Sequence, residues 1–241
     1  MADKSYIGKG KLYLDGRFVG NVSEFVYGTS EEEKALPDYT TTGGGNYNSL
    51  KRIQAVTTRI VFHDYNAENL AESLFGSSSA VAAGSVSDES ITTGAALDYL
   101  VETASMIDTD QTVTVTSDPS GTTYTEDTDY TVSAAGIVVL STGAMAASTG
   151  YLISYTKKAV DVIEALTGSA QDRRLVFDGL NEAQSGAPVK IVVHRNKFGP
   201  ADEVTAIGDD FGAVTLNGEA LKDTTITTGG LSQFIQIQQA A

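Results

Sequence analysis

The chain lacks cysteine and tryptophan, and it contains only two histidines among its 241 residues. Without cysteine it forms neither a disulfide framework nor a thiolate nucleophile. No apolar run reaches the roughly 18 residues that a membrane span requires. The opening MADKSYIGKG also lacks the apolar stretch of a signal peptide. We therefore expect no membrane insertion, no signal peptide and no cysteine chemistry.

Positive charge is scarce, with 16 Lys and Arg against 31 Asp and Glu and a formal net charge of −15. Residues 77–156 contain ten acidic residues and no Lys or Arg, giving −10, so the other 21 acidic and 16 basic residues give −5. This balance argues against a surface that grips DNA, because such affinity depends on Lys and Arg contacts to phosphate. The charge boundary predicts an acidic inserted domain at 77–156 within a discontinuous domain formed by 1–76 and 157–241.

The abundance of Thr, Val, Gly and Ser favours a mainly β protein. Alternating residues around Asp15–Gly16 predict a hairpin, and SLKRIQAVTTRIVF predicts a strand whose core residues are Ile53, Val56, Ile60 and Phe62. Short strands typical of a β-sandwich or partial barrel follow as QTVTVTS, DYTVSA, GIVVLST and GYLISYTK, then RRLVFDGL, APVKIVVHRNK, DEVTAIG, FGAVTLNGEAL and QFIQIQQ. GSSSAVAAGS is predicted as a linker, and AALDYLVETA fits either a helical turn or a strand.

One segment, NAENLAESLFG, changes to the period of a helix. Its apolar residues recur at helical spacing, which predicts one short amphipathic helix packed on the sheet. Asn66 is the predicted N-cap and Gly76 the predicted C′ residue. The apolar stripe comprises Ala67, Leu70, Ala71, Leu74 and Phe75, of which Leu70, Leu74 and Phe75 are the main packing residues.

Signals for nucleotide binding or hydrolysis are weak. The glycines at Gly8–Lys11 (GKGK) and at Gly43–Gly45 precede strand-like runs, whereas a phosphate-binding loop follows a strand and ends in a lysine. His63 and His194 lie in alternating segments, and neither lies near a Gly-x-Ser-x-Gly elbow. We therefore expect no enzyme and no cofactor.

Acidic clusters offer hard oxygen ligands at Asp108–Asp110 and Glu126–Asp129, as Ca²⁺ requires. The EF-hand pattern is absent, however, and acidic turns on a solvated face explain the same residues better. We expect no bound metal.

Several segments together resemble the major tail tube proteins of long-tailed, siphovirus-type bacteriophages. They are GKGKLYLDGRFVGNVSEFVYG, the stretch DYTTTGGGNY, the strand and helix VTTRIVFHDYNAENLAESLFG, and the later run RRLVFDGLNEAQSGAPVKIVVHR. The middle piece EDTDYTVSAAGIVVLSTGAMAASTGYLISYT is similar to the small Ig-like β insertion that decorates some of these proteins. The resemblance spans nearly the whole chain and rests on patterns, with no catalytic signature.

The resemblance implies a tail-tube-type β-sandwich or barrel domain with one short flanking helix. Subunits of the family pair their strands around rings of six, and the rings stack into a tube through which DNA is ejected. The expected partners are further copies of the chain and other tail proteins (tape measure, tail terminator, baseplate or tip). DNA passes through the lumen without specific binding, the insertion lies on the tube exterior, and the protein is located in the virion tail after assembly in the host cytoplasm.

In the family, the stretch from Glu31 to Leu50 corresponds to a long loop that leaves the sheet and reaches a neighbouring subunit or ring. Plain surface disorder is the alternative, but apolar side chains of this kind suit an interface better. Three glycines permit a conformation that orders only on contact. The predicted assembly-loop residues are Leu36, Pro37, Tyr39, Gly43, Gly44, Gly45, Tyr47 and Leu50.

Three other functions remain open from the sequence. A surface adhesin or carbohydrate-binding β module, with the acidic insertion binding Ca²⁺, is the main alternative, although an adhesin should carry a signal peptide or an anchor. A sandwich-type hydrolase lacks a credible pair of nucleophile and base. The tube of a contractile secretion system shares the ring-forming fold, but the insertion and the long loop argue against it.

Overall fold

The computed structural model describes residues 5–40, 42–119 and 121–240. These residues are mainly β-structure, which confirms the predicted fold class. The elements in chain order are β1 (Gly8–Leu14), β2 (Arg17–Phe18), β3 (Val22–Pro37), β4 (Asn46–Phe62), α1 (Ala67–Ser73), β5 (Ser77–Val81), β6 (Gly84–Thr92), β7 (Leu100–Glu102), β8 (Thr114–Ser117), β9 (Tyr130–Ser133), β10 (Gly136–Val139), β11 (Gly150–Lys157), β12 (Val160–Glu164), β13 (Asp172–Asn181), β14 (Ala187–Phe198), β15 (Val214–Ala220) and β16 (Ile235–Gln239). A 3-10 turn at Glu182–Gln184 joins β13 to β14.

The chain divides into two compact units. Unit 1 comprises Met1–Ser78 and Ile163–Ala241, and unit 2 comprises Ser79–Val162. The chain leaves unit 1 within β5 and returns within β12, and these two strands pair with each other. The predicted linker GSSSAVAAGS is therefore wrong, because β5 and the start of β6 occupy it. Small polar residues form strands here because pairing with β12 and β11 satisfies their backbone groups.

The sheet of unit 1 has the order β2-β1-β13-β14-β15-β4-β3, with β16 also paired to β14. The second edge of β14 is shared, since Val189–Val193 pair with β16 and Asn196–Phe198 pair with β15. The sheet folds back on itself, which brings the ring of Phe25 on β3 to 6.2 Å from the ring of Phe177 on β13, centroid to centroid.

The core of unit 1 collects buried apolar side chains from β1, β4, β13, β14 and β15. Of the four core residues predicted on β4, Val56, Ile60 and Phe62 are buried as expected. Ile53 is 66% exposed, so that prediction is wrong. Ile53 is three residues before Val56, so it falls out of phase with the buried positions Val56, Ile60 and Phe62, and it lies beyond a break in the pairing with β3.

The predicted hairpin at Asp15–Gly16 is confirmed. Leu14 pairs with Arg17, and Tyr13 pairs with Phe18. Both turn residues have positive φ angles, 49° at Asp15 and 87° at Gly16. A two-residue turn with this geometry matches the natural twist of the strands that it connects.

Unit 2 contains two three-stranded sheets, β7-β10-β9 and β6-β11-β8. Both sheets contribute to one core, in which Ile137 and Tyr130 come from the first sheet and Ile153 and Tyr151 from the second. The buried hydroxyl of Tyr130 donates to the carbonyl oxygen of Val113 at 3.1 Å, and burial raises the pKa of this side chain. AALDYLVETA contains the short strand β7, which decides between the two readings of that segment.

Candidate assembly surface

The stretch from Glu31 to Leu50 is an antiparallel hairpin, so the prediction of a loop that leaves the sheet is wrong. Strands β3 and β4 remain paired from Val22 and Phe62 out to Pro37 and Asn46. The composition of the stretch indicates a loop, but every residue up to Pro37 has a partner on β4 whose backbone it can pair with. We call the part from Glu31 to Ile53 the arm.

The base of the arm is marked by an irregularity in strand pairing. Ser30 pairs with Ala55 but Glu31 pairs with Ile53, so Gln54 is an extra residue on β4. Such a bulge bends and twists a strand. Burial ends at the same point, because Val56 is buried whereas both strands are exposed on both faces from Glu31 and Gln54 outward.

The arm presents large apolar side chains to solvent. Tyr39 is 83% exposed and Tyr47 is 72% exposed. Tyr47 is itself an extra residue, since Leu36 pairs with Asn48 and Pro37 with Asn46. Apart from Ala35, the exposed apolar residues are Leu36, Pro37, Tyr39, Tyr47, Leu50 and Ile53, a set that contains every non-glycine residue predicted for the assembly loop.

A hydrogen-bonded turn closes the arm. The backbone N–H of Asp38 donates to the carbonyl oxygen of Gly45 at 2.8 Å, and the Asp38 carboxylate accepts from the backbone N–H of Thr40 at 2.7 Å. Gly44 and Gly45 adopt positive φ angles of 71° and 117°, which side chains rarely allow. Two of the three glycines thus serve the turn geometry. Thr41 lies outside the described residues.

The charged residues of the arm do little to stabilise it. Lys51 Nζ lies 3.8 Å from Glu33 Oε2, and Lys34 Nζ lies 3.8 Å from Glu32 Oε1. All four side chains are about half exposed or more, and exposed ion pairs contribute about 0–1 kcal/mol to stability. A two-stranded ribbon without a covered face is at best marginally stable in water. The arm therefore has the composition and geometry of a surface that becomes covered by a partner.

The helix α1 begins and ends near the predicted residues. The Asn66 side chain caps it by accepting from the backbone N–H of Asn69 at 2.8 Å. At the other end, Leu74 is the C-cap and Phe75 has a φ of 49°. The N–H of Gly76 donates to the carbonyl of Ala71 at 2.8 Å, which is the bond expected of the C″ residue in a Schellman motif. The prediction of Gly76 as C′ is wrong by one residue, because Phe75 takes that conformation.

The most buried side chains of α1 are Asn69, Ala71 and Ser73, whereas the predicted packing residues Leu70, Leu74 and Phe75 are half-buried. The amide of Asn69 donates to the carbonyls of Val19 at 2.8 Å and Asp64 at 2.9 Å, and its oxygen accepts from Arg17 at 2.7 Å. This polar anchor has no signal in hydrophobic periodicity.

An ion-pair network also holds α1 to the sheet. Arg173 on β13 donates to the Glu72 carboxylate from Nε at 3.0 Å and from Nη2 at 2.6 Å, and to Asp15 at 3.2 Å. The Glu72 carboxylate, followed by Asp15, raises the pKa of the Arg173 guanidinium. The network thus links α1, the Asp15 turn and β13.

A second exposed surface lies in residues 199–213, which we call the β14–β15 loop. The strand predicted for DEVTAIG is wrong, because no described residue of this loop is in a strand. Ile207 is 96% exposed and Phe211 is 97% exposed. The apolar residues whose alternation predicted a strand have different surroundings here. Val204 packs against the core, whereas Ile207 is in solvent.

The candidate catalytic and metal-binding residues have structural contacts. His63 Nδ1 lies 3.1 Å from the carbonyl oxygen of Gly212; because a carbonyl only accepts, Nδ1 carries the proton. The backbone N–H of His194 donates to the carbonyl of Phe234 at 3.0 Å. Neither of these two hydrogen bonds is with a carboxylate or a nucleophile.

The two acidic clusters are likewise engaged within unit 2. Lys158 Nζ lies 3.3 Å from Asp108 and 3.9 Å from Asp110. Asp129 accepts from the backbone N–H groups of Thr125 at 2.8 Å and Ala144 at 2.7 Å, and these bonds lower the pKa of its carboxyl. Asp129 is buried, so the reading of this cluster as wholly solvated is wrong for that residue. Over the described ranges, no three His, Cys, Asp or Glu residues are grouped as metal ligands would be.

The chain belongs to the family described as protein of unknown function UCP028589, which matches residues 5–238. No curated protein matches the chain. In the part of the chain that the structure describes, no helix is long and apolar enough to span a membrane.

Proposed function

We propose that this protein is a structural subunit that polymerises into stacked rings and forms a phage tail tube, a conduit for DNA ejection. The proposal draws on the resemblance of its segments to major tail tube proteins, which implies rings of six copies and contacts with other tail proteins. The proposal assigns no catalytic chemistry to the chain. The proposed contact surfaces between subunits are the arm and the free strand edges of unit 1.

The arm is the observation that carries this proposal. It is a paired ribbon whose two faces are both uncovered, and it carries exposed Leu36, Tyr39, Tyr47 and Leu50. Large apolar side chains clustered on a projecting element are characteristic of protein–protein interfaces, where aromatic residues are enriched. A second copy of the chain would bury these side chains and stabilise the ribbon.

Unpaired strand edges support the same function. Among the described residues, β3 pairs only with β4, and β16 pairs only with β14. The outer edge of β1 pairs with β2 at Tyr13 and Leu14, and the Leu12 carbonyl accepts from Val19, so Gly8–Lys11 have no strand on that side within the part of the chain that the structure describes. Proteins that remain monomeric protect such edges, and closing a sheet through neighbouring subunits removes them.

The low content of Lys and Arg fits a conduit for DNA. Outside residues 77–156, acidic residues still outnumber basic ones by 21 to 16, so the part that would form the tube wall has no excess of the groups that release counterions from DNA and hold it. Repulsion between an acidic wall and the phosphate backbone would allow the genome to slide.

Electron microscopy of the concentrated, purified chain tests the proposal. Hollow tubes with a regular axial repeat are the expected result. Persistent monomers under every salt condition, and with other tail proteins added, would contradict it and would favour the adhesin alternative. Binding of glycans and Ca²⁺ by the intact chain would then be measured.

Substitution of the arm locates the contact. A Leu36→Ser/Leu50→Ser variant should stay folded but lose tube formation, because it removes apolar side chains that only a partner covers. Tyr99→Ser, at a 68% exposed residue of unit 2, is the matched control and should form normal tubes. Deletion of Thr41–Asn46, a range whose first residue lies outside the described residues, should give the same loss. Tubes of normal length from both arm variants would show that the arm is not the contact.

A further inference from the structure

The β14–β15 loop holds its apolar tip outside the fold by anchoring both of its ends. The backbone N–H of Ala201 donates to the carbonyl of Ser73 at 2.7 Å, and the Gly212 carbonyl accepts from His63 at 3.1 Å. Ala201 and Val204 also pack against the core. Ile207 and Phe211 nevertheless remain almost fully exposed. An anchored loop of this length with two exposed large apolar side chains is typical of a binding element.

A groove of about 860 Å³, lined by both apolar and polar residues, lies elsewhere on unit 1. Its floor and walls include Leu12, Phe177, Val189, Ile191 and Ile237, with Phe25 and Tyr27 opposite. The volume is that of sites that enclose a small ligand, so a phenyl ring fits with room to spare. Ile237 at its mouth is 53% exposed, so the groove is open to a partner.

Charge makes the loop and the groove complementary. The β14–β15 loop contains Asp202, Glu203, Asp209 and Asp210 and no Lys or Arg. The groove is bordered by the edge strand β1, which carries Lys9 and Lys11, and Lys9 lines the groove itself. Within the described residues, neither lysine takes part in an ion pair, and the Lys11 ammonium lies over the ring of Phe18, 5.8 Å from its centroid. The acidic residue that lines the groove, Glu24, is paired with Arg59.

We infer that the groove of one copy receives the β14–β15 loop of a second copy, with Phe211 and Ile207 in the groove and Asp209 and Asp210 facing Lys9 and Lys11. This contact rests on the proposed function and adds to it a docking site separate from the arm. It also gives a role to the GKGK segment, which phosphate binding does not explain.

The two surfaces lie at different places on the same subunit. Val189 and Ile191 line the groove near the amino end of β14, whereas the loop leaves β14 after its carboxyl end at Phe198. A contact between two different surfaces is heterologous, so each copy offers one loop and one groove. Repetition of such a contact produces a ring or a filament rather than a closed dimer.

Site-specific disulfide formation tests this contact, because the natural chain has no cysteine. A Phe211→Cys chain mixed with an Ile237→Cys chain should give a disulfide-linked heterodimer under mild oxidation. Tyr39→Cys mixed with Ile237→Cys tests the arm as the alternative occupant, and Tyr99→Cys mixed with Ile237→Cys is the control for random collision. The proposal predicts a heterodimer from the first mixture and not from the other two.

Substitutions test the same contact without crosslinking. Phe211→Ser should weaken association at least about tenfold, as measured by sedimentation, while the thermal unfolding curve stays unchanged. Asp209→Lys/Asp210→Lys should also weaken association. Mixing that variant with Lys9→Glu/Lys11→Glu should restore it, which a purely structural role of these residues would not produce.

The outcomes separate this inference from the proposed function. Normal tubes without the heterodimer, or a heterodimer from the Tyr39 mixture instead, would overturn the loop contact and leave the tube function standing. The expected heterodimer from a chain that never forms tubes would support the contact and contradict the tube. Absence of both the heterodimer and the tubes would overturn both.

Discussion

Unit 1 and unit 2 are both β-structures with apolar cores, yet they differ in what they leave exposed. In unit 2, the exposed large apolar side chains are Tyr99, Leu100 and Met106, and unit 1 carries all the others found among the described residues. Ten of the seventeen in unit 1 lie on the arm, in the β14–β15 loop or along the groove. Unit 2 thus leaves few large apolar side chains in solvent, whereas unit 1 leaves many.

The largest expected effect is a loss of stability when a buried isoleucine is truncated, compared with the same truncation on the arm. Ile153→Ala should lower the free energy of unfolding of unit 2 by about 2–5 kcal/mol, because the fully buried side chain leaves a cavity. Ile53→Ala, at an exposed arm residue, should change stability by less than about 0.5 kcal/mol. Chemical denaturation followed by tyrosine fluorescence measures both. Similar losses at the two positions would mean that the arm is packed within the monomer.

The next effect concerns the polar anchor of α1. Asn69→Ala should destabilise unit 1 by about 1–3 kcal/mol, because it leaves the carbonyls of Val19 and Asp64 without their donor. Asn48→Ala, on the exposed arm, is the control and should be nearly neutral. Equal unfolding free energies for the two variants would show that the helix depends on its half-buried leucines instead.

Acid should reveal a stabilising carboxylate in unit 2. Backbone hydrogen bonds lower the pKa of Asp129, so its contribution is present above the unfolded pKa of about 3.9 and is lost as pH falls toward the lower folded value. Asp129→Asn should therefore remove part of the acid sensitivity of unit 2, seen by circular dichroism between neutral and acidic pH. Asp110→Asn, at a largely exposed carboxylate, should leave the acid transition unchanged. Identical transitions for wild type and Asp129→Asn would refute this account.

The smallest effect lies at the tip of the arm. Gly43→Ala has no neighbouring atom within 4 Å of the added methyl group and should be neutral or stabilise by up to about 1 kcal/mol. Gly44→Ala has equal space but a φ of 71°, so it should cost about 1 kcal/mol. Hydrogen exchange of the arm amides measures the difference. Equal exchange in both variants would indicate that the turn does not hold this geometry in solution.

Local pattern was sufficient where neighbouring residues set the structure. The hairpin at Asp15–Gly16 and the N-cap at Asn66 depend on contacts near in sequence, and the buried face of β4 from Val56 onward follows from its own alternation. Local pattern failed where residues distant in sequence determine the structure of a segment. Composition and the family resemblance predicted a loop for the arm, and alternation predicted a strand for DEVTAIG, because none of these signals reports which backbone groups find a partner.

Sequence alone determined that this protein is mainly β, acidic in its middle third and free of cysteine, since composition and alternation carry that information directly. Only the tertiary structure decided that Glu31–Ile53 is a paired ribbon, that Ile53 lies outside the core, and that Ile207 and Phe211 are held in solvent. Exposure depends on where the sheet folds back and on which distant backbone atoms hold a segment in place. A pattern of apolar residues is the same whether the chain itself or a second copy covers them.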